Sequence, residues 1–274
     1  MKKNKSLLLS TPYILWMLAF TLIPLGVVGY YALTDSPTTG NFTLANLASL
    51  LDYLPVLWQS IWYSLISAFI CLLIGYPVAY YIAHRKPLTQ KILYMLVMLP
   101  MCMSFLLRTL AWVGLLQDTG IINTFLGKLG IGPLPLIRNS GAVILGMVYN
   151  YLPYMILPLY SVICKIDNRL VEAAEDLGCN GRKVFSKVIL PLSMPGILTG
   201  MTMVFVPAVS TFYISNKMGS TETILIGDII ERMFKQGDNA NMGAALSLLL
   251  MVLVFVCTGI INRFGGDEEG SVIV

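Results

Sequence analysis

The sequence predicts an all-α fold embedded in a lipid bilayer, a polytopic membrane protein with six transmembrane helices, and three observations predict it. Hydrophobic residues fill 57% of the 274 positions and charged residues only 12%, where an ordinary soluble domain carries about a quarter. The charges also avoid whole stretches. Residues 6–33, 53–83, 139–164, 188–216 and 239–262 hold no Asp, Glu, Lys, Arg or His, and 92–117 holds only Arg108. Each stretch exceeds the roughly 20 apolar residues that cross about 30 Å of hydrocarbon. Finally, Pro12, Pro24, Pro77, Pro153, Pro158, Pro195 and Pro207 fall in or at the ends of these stretches. Helices in water would be broken by so many, whereas membrane helices tolerate them.

The bilayer core offers no water to unpaired backbone groups, so each crossing must close its own hydrogen bonds as a helix. This places helices at 8–33, 58–83, 92–116, 141–164, 192–214 and 241–262. The first follows Lys2, Lys3 and Lys5 and is too long for the 7–15 apolar residues of a signal peptide, so it reads as a retained helix. The connection 117–140 holds Gly127, Gly130, Gly132, Pro133 and Pro135 and reads as a structured loop with a short interfacial helix. In 215–240, the spacing of Ile224, Leu225, Ile226, Ile229 and Ile230 predicts an amphipathic helix lying on the membrane surface. The chain divides into an N-terminal helix and outer loop (1–57), a core (58–264) and a tail (265–274).

Basic residues set the orientation. Arg85, Lys86 and Lys91 follow the second helix, and Lys165, Arg169, Arg182, Lys183 and Lys187 follow the fourth, whereas the connection near 33–57 has no Lys or Arg. The positive-inside rule then puts both termini and both basic connections in the cytoplasm. The net charge of +4 is accounted for by this distribution, and nucleic acid is not an expected partner.

Residues 165–192 carry the most specific pattern. Asp167 or Asn168 can cap a helix with apolar members Leu170, Val171, Ala173, Ala174 and Leu177. Gly178 suits a left-handed stop, Asn180-Gly181 extends the turn, and Val184, Phe185, Val188 and Ile189 resume a helix that meets the fifth span at Pro191. Small Ala173 and Ala174 would admit another protein's surface, with Glu172, Glu175 and Asp176 around the contact.

Glu172-Ala173-Ala174, then Gly178, then Val188-Ile189-Leu190-Pro191 resembles the EAA loop of ABC importer permeases, departing only at Val188 where the pattern has Ile. The resemblance implies the type I, MetI-like permease fold. It also implies a coupling helix whose Glu172, Ala173, Ala174, Asp176 and Gly178 dock on a cytoplasmic ABC ATPase dimer, with Pro191 at the membrane junction. No GxxxxGK[ST] phosphate loop is present, so ATP and Mg belong to that partner, and no cofactor and no catalytic residue is expected on this chain.

Further stretches resemble the first permease of spermidine/putrescine importers: Leu73–Ala79, Phe105–Arg108, Leu152–Ser161, Pro207-Ala208 and Phe212–Ser215. That likeness implies a second, homologous permease, an extracytoplasmic solute-binding protein and a polyamine substrate. Aromatic faces hold such cations, and Trp112, Tyr149, Tyr154, Phe212 and Tyr213 are candidates for the substrate path. Arg108 joins them as an intramembrane charge, functional by default, although it would repel a cation. Permeases of this kind also carry other small solutes. An ion-coupled transporter is the other class, but it would use an intramembrane carboxylate or His, and the spans hold neither.

His84 is the only histidine, too few for a metal site built from converging ligands. Cys71, Cys102, Cys164, Cys179 and Cys257 form no CxxC pair and read as small buried hydrophobes.

Overall fold

The computed structural model describes residues 11–13, 15–34, 41–43, 45–130, 132–236 and 239–263. The lysines of the N-terminus, the first residues of the 8–33 helix and the 265–274 tail lie outside them. Among the described residues the only β pairing is an isolated Thr34–Phe42 bridge. The helices are α1 (Thr11–Ala32), α2 (Leu54–Ala83), α3 (Pro87–Met98), α4 (Phe105–Leu116), α5 (Ile121–Lys128), α6 (Ser140–Ile163), α7 (Asn168–Asp176), α8 (Gly181–Leu192), α9 (Met194–Val209), α10 (Tyr213–Met218), α11 (Ile226–Gln236) and α12 (Ala240–Arg263). Among the described residues five helical stretches are long and apolar enough to cross a membrane, Thr11–Ala32, Ser49–Ala83, Phe105–Lys128 (α4 with α5), Ser140–Ile163 and Ala240–Ile261, and the bent pair α8–α9 makes a sixth.

The chain forms two compact units. One comprises residues up to Pro55 together with Ile229–Leu253, the other Val56–Asp228 and the residues from Val254. In the first, Ala32 of α1 is sealed against Ala244 and Ala245 of α12, with Val28, Tyr31, Leu50 and Leu248 around them. The side-chain amides of Asn46 and Asn241 both donate to the Thr34 carbonyl, closing a backbone group left open where α1 ends. Most of α1 remains exposed and apolar, including Trp16, Phe20 and Ile23. Water would not tolerate such a surface on a monomer; a lipid or a partner helix would.

The second unit is built on α2, α6 and α9. One side of α2 carries small buried residues, Ser60, Ser64, Ser67, Ala68, Cys71, Gly75 and Ala79. The other carries exposed Trp58, Trp62, Phe69 and Leu73. Small residues let membrane helices approach closely where no hydrophobic force separates helix from lipid. Met155 of α6 is keyed between Gly75 of α2 and Gly200 of α9: a Cβ on Gly200 would lie 2.6 Å from its Sδ.

Three sequence expectations are corrected. The third crossing is not one helix over 92–116. Pro100 leads into a 3₁₀ turn Leu99–Cys102, and Met103 and Ser104 are extended before α4 begins. Proline removes an amide and clashes with the preceding turn, so the crossing is made in pieces; α4 alone, 12 residues, spans only about 18 Å. The fifth crossing does not run unbroken over 192–214. It bends by 62° between Gly181–Leu192 and Met194–Val209, then stops at Val209, after Pro207, before resuming as α10. Finally, α11 does not simply lie on a surface: Leu225 and Ile226 are fully buried, and the Ile226 amide donates to Ser60 Oγ of α2 at 2.9 Å.

Candidate functional site

Two places in the second unit carry the functional argument: a polar hairpin at its basic end and a polar cluster between broken helices.

In the hairpin, Asp167 caps α7 by accepting from the Arg169 amide at 3.0 Å. The helix ends in a Schellman motif, with Cys179 N–H bonded to the Ala174 carbonyl and Gly178 N–H to that of Glu175. Gly178 supplies the required left-handed conformation at φ +79°. Asn180 then caps α8, accepting from the Lys183 amide at 3.1 Å. Ala174 is buried against Val184 and Ile189, with Tyr80, Ile166, Val171, Cys179 and Val188 beside it. Ala174 is therefore turned inward within this chain. Its small size serves close packing of α7 on α8 within this chain. Leu170, Ala173 and Leu177 make the outward apolar stripe, beside exposed Glu172, Asp176 and Gly178.

The hairpin is fastened to the membrane helices. α8 contains a π-helical turn, Phe185–Ile189, just before Pro191, and such turns recur at functional sites. Phe185 sits edge-on to Tyr76 and Tyr80 of α2, with centroids 5.5 and 6.2 Å apart. At the 62° bend, Ser193 is fully buried and its Oγ lies 2.8 Å from the Tyr76 hydroxyl. A displacement of α7 thus has a packed route to α2 and α9.

The second place lies where the third and fifth crossings are interrupted. Phe105, Arg108 and Trp112 share one face of α4 at i, i+3 and i+7. Phe105 packs toward Tyr213 of α10 (centroids 6.1 Å apart), and Trp112 meets Tyr149 of α6 edge-on at 5.3 Å. Between them Arg108 is only 6% exposed, within electrostatic reach of Tyr151. Tyr151 donates to the Pro207 carbonyl at 3.3 Å, a group freed by the break after α9. Tyr154 stands next to Tyr151, half-exposed. Phe212 is exposed, and Lys217 Nζ lies 6.0 Å from the Tyr213 ring centroid. Irregular backbone inside a membrane protein is tolerated only where protein or a cavity covers it, and transporters place binding sites at such breaks.

This cluster is incompletely bonded. Among the described residues Arg108 Nε and Nη1 and the Asn150 Oδ1 find no hydrogen-bond partner. Each such group costs about 1–3 kcal/mol, more when charged. Asn150 was missed by sequence reasoning, although an asparagine inside an apolar stretch was the available signal; its amide reaches Thr109 of α4 at 3.5 Å. Among the described residues no group of three or more His, Cys, Asp or Glu could hold a metal ion.

The chain belongs to the family of binding-protein-dependent transport system inner membrane components, matched over residues 72–265. It is a permease subunit of an ABC importer, a multi-pass protein of the inner membrane. It is 41% identical over 249 residues to the spermidine/putrescine transport system permease protein PotB of Haemophilus influenzae, covering 87% of this chain and 86% of that one. PotB of Escherichia coli K12 is 36% identical over 247 residues, covering 87% and 90%. Among solved structures, a chain of a bacterial ABC transporter involved in import of the acidic polysaccharide alginate shares the fold, with TM-score 0.76 at 18% identity over 97% of both chains. The inward-facing MetNI methionine ABC transporter gives TM-score 0.61 at 17% identity, covering 79% of this chain and 96% of that one.

Proposed function

We propose that this permease imports polyamines, spermidine or putrescine, as one of two homologous permeases served by an external solute-binding protein and a cytoplasmic ATPase dimer. The ATPase carries ATP and Mg; this chain has no catalytic role. Both termini and the α7–α8 hairpin face the cytoplasm, and the stripe Leu170, Ala173 and Leu177, with Glu172, Asp176 and Gly178 beside it, docks on the ATPase. Closure of the ATPase on ATP pushes α7, and the push passes through α8, Pro191 and the Ser193 bend to α2 and α9. The cavity then switches from inward-open to outward-open, and solute is released inward on return. Arg108, Trp112, Tyr149, Tyr154, Phe212 and Tyr213 border the path.

The observation that carries this reading is the hairpin: its outer face exposes the apolar stripe Leu170, Ala173 and Leu177 while its inner face is packed on the membrane helices. The test is uptake of labelled putrescine and spermidine by the reconstituted complex, with Ala173→Trp and Gly178→Trp. Uptake and ATP hydrolysis should fall at least about tenfold, equivalent to about 1.4 kcal/mol, with the subunits still assembled. Normal transport by both variants would defeat the docking claim.

One observation favours a second reading. Arg108 is a buried cation with open donors, which suits a carboxylate-bearing solute better than a polycation. Labelled polyamine failing to enter while an acidic solute does would establish it. Under the polyamine reading the carboxylate that satisfies Arg108 comes from the second permease.

A further inference from the structure

A cavity of about 360 Å³ opens behind the coupling helix, at the basic end of the second unit, lined by Ala83, His84, Arg85, Gln90, Ile163, Cys164, Ile166, Asn168, Val171 and Ile189. It is walled by the last turn of α2, the first turn of α3, the end of α6, and α7 and α8. Its size falls within the roughly 300–1,000 Å³ of small-molecule sites. Neither the docking stripe nor the broken-helix cluster uses it.

Its chemistry is that of an anion site. None of the lining residues is a carboxylate. Arg85 is the cation among them; the framing segments also carry Lys86, Lys91, Lys165 and Arg169, with Asp167 at the start of α7 and Glu172, Glu175 and Asp176 further along it. Asp167 is turned to its own helix, accepting from the Arg169 amide. Arg85 Cζ lies 4.0 Å over the Tyr81 ring centroid. Its guanidinium carries five N–H donors in the fork geometry that suits phosphate. His84 braces the wall, its Nδ1–H donating to the Tyr80 carbonyl at 2.9 Å. Gln90 braces the wall: its Nε2 donates to the Ala83 carbonyl at 2.7 Å and its Oε1 accepts from Tyr160 at 3.5 Å. Asn168, the first residue of α7, is the neutral polar residue that this helix contributes to the lining.

We infer that this cavity binds a phosphate-bearing anion, which braces the coupling helix α7 against the ends of α2 and α6. Two sources share that chemistry. An anionic phospholipid could bring its headgroup to the ends of the crossings, where basic pockets between helices take such headgroups. A free phosphate anion could enter from the aqueous side.

The assembled complex in nanodiscs distinguishes them, read by amide hydrogen exchange over residues 164–172. Discs containing phosphatidylglycerol should slow exchange there relative to discs of phosphatidylcholine alone, and millimolar inorganic phosphate is added to the second set as a separate arm. Protection by the anionic lipid alone assigns a lipid phosphate. Protection by inorganic phosphate as well assigns a site open to free anions. In either case Arg85→Ala and Asn168→Ala should weaken the effect roughly tenfold, while Lys128→Ala, a cation of α5 outside the cavity, should not. No protection in any arm, or protection that survives Arg85→Ala, overturns the inference. Exchange reports binding without transport, so the result stands whatever solute the importer carries.

Discussion

The coupling hairpin and the Arg108 cluster satisfy their polar groups in opposite ways. In α7–α8 nearly every backbone end is closed by a residue within five positions: Asp167, Gly178, Cys179 and Asn180 cap two helices with local hydrogen bonds. Around Arg108, partners come from α4, α6 and the break after α9, separated by about 40 to 60 residues in sequence, as in the 3.3 Å bond from Tyr151 to the Pro207 carbonyl with |i−j| of 56. Even these leave Arg108 Nε and Nη1 open. The hairpin closes its polar groups from within, whereas the interior cluster leaves some of its own open.

Substitutions can break or sharpen that contrast. The largest effect is expected in the interior packing. Gly200→Leu would drive a side chain into Met155, whose Sδ is 2.6 Å from the position of a Cβ. Overpacking of this kind costs about 3 kcal/mol, seen as a lowered unfolding temperature in detergent and poor yield of folded chain. Arg108→Met comes next and should act in two directions. Removing unsatisfied buried donors should stabilise the isolated chain by about 2 kcal/mol, while uptake by the complex drops at least about tenfold. Thermal unfolding of the chain and uptake by vesicles, measured side by side, check it; loss of both would mean that Arg108 is already satisfied within the chain.

Smaller effects belong to the hairpin. Gly178→Ala meets no neighbour within 4 Å but keeps φ +79°, so only the left-handed conformation opposes it, at about 1–2 kcal/mol. Faster exchange of the Cys179 amide, with the membrane helices unchanged, is the expected readout. A double-mutant cycle of Tyr76→Phe and Ser193→Ala should give a coupling of about 1 kcal/mol. A coupling near zero in stability together with normal ATP-driven uptake would remove the Ser193 bend from the transmission route.

Much of the molecule was legible in the amino-acid order. The helices over Leu54–Ala83 and Ser140–Ile163 fall within a few residues of expectation because charge-free runs of that length admit one solution in a bilayer. The hairpin was legible for a different reason: caps and left-handed stops act between near neighbours, so Asp167, Gly178 and Asn180 announce themselves. Tertiary structure alone decided three things. It turned Ala174 inward and Ala173 outward, a choice that two identical side chains cannot express. It interrupted the third and fifth crossings at Met103-Ser104, Ser193 and Ser210–Phe212, though prolines elsewhere in the same chain sit inside unbroken helices, as Pro77, Pro153 and Pro158 do. And it brought Arg108, Asn150 and Tyr151 together. Where lipid and core are equally apolar, hydropathy cannot tell the inner face of a helix from the outer; only the fit of neighbouring helices can.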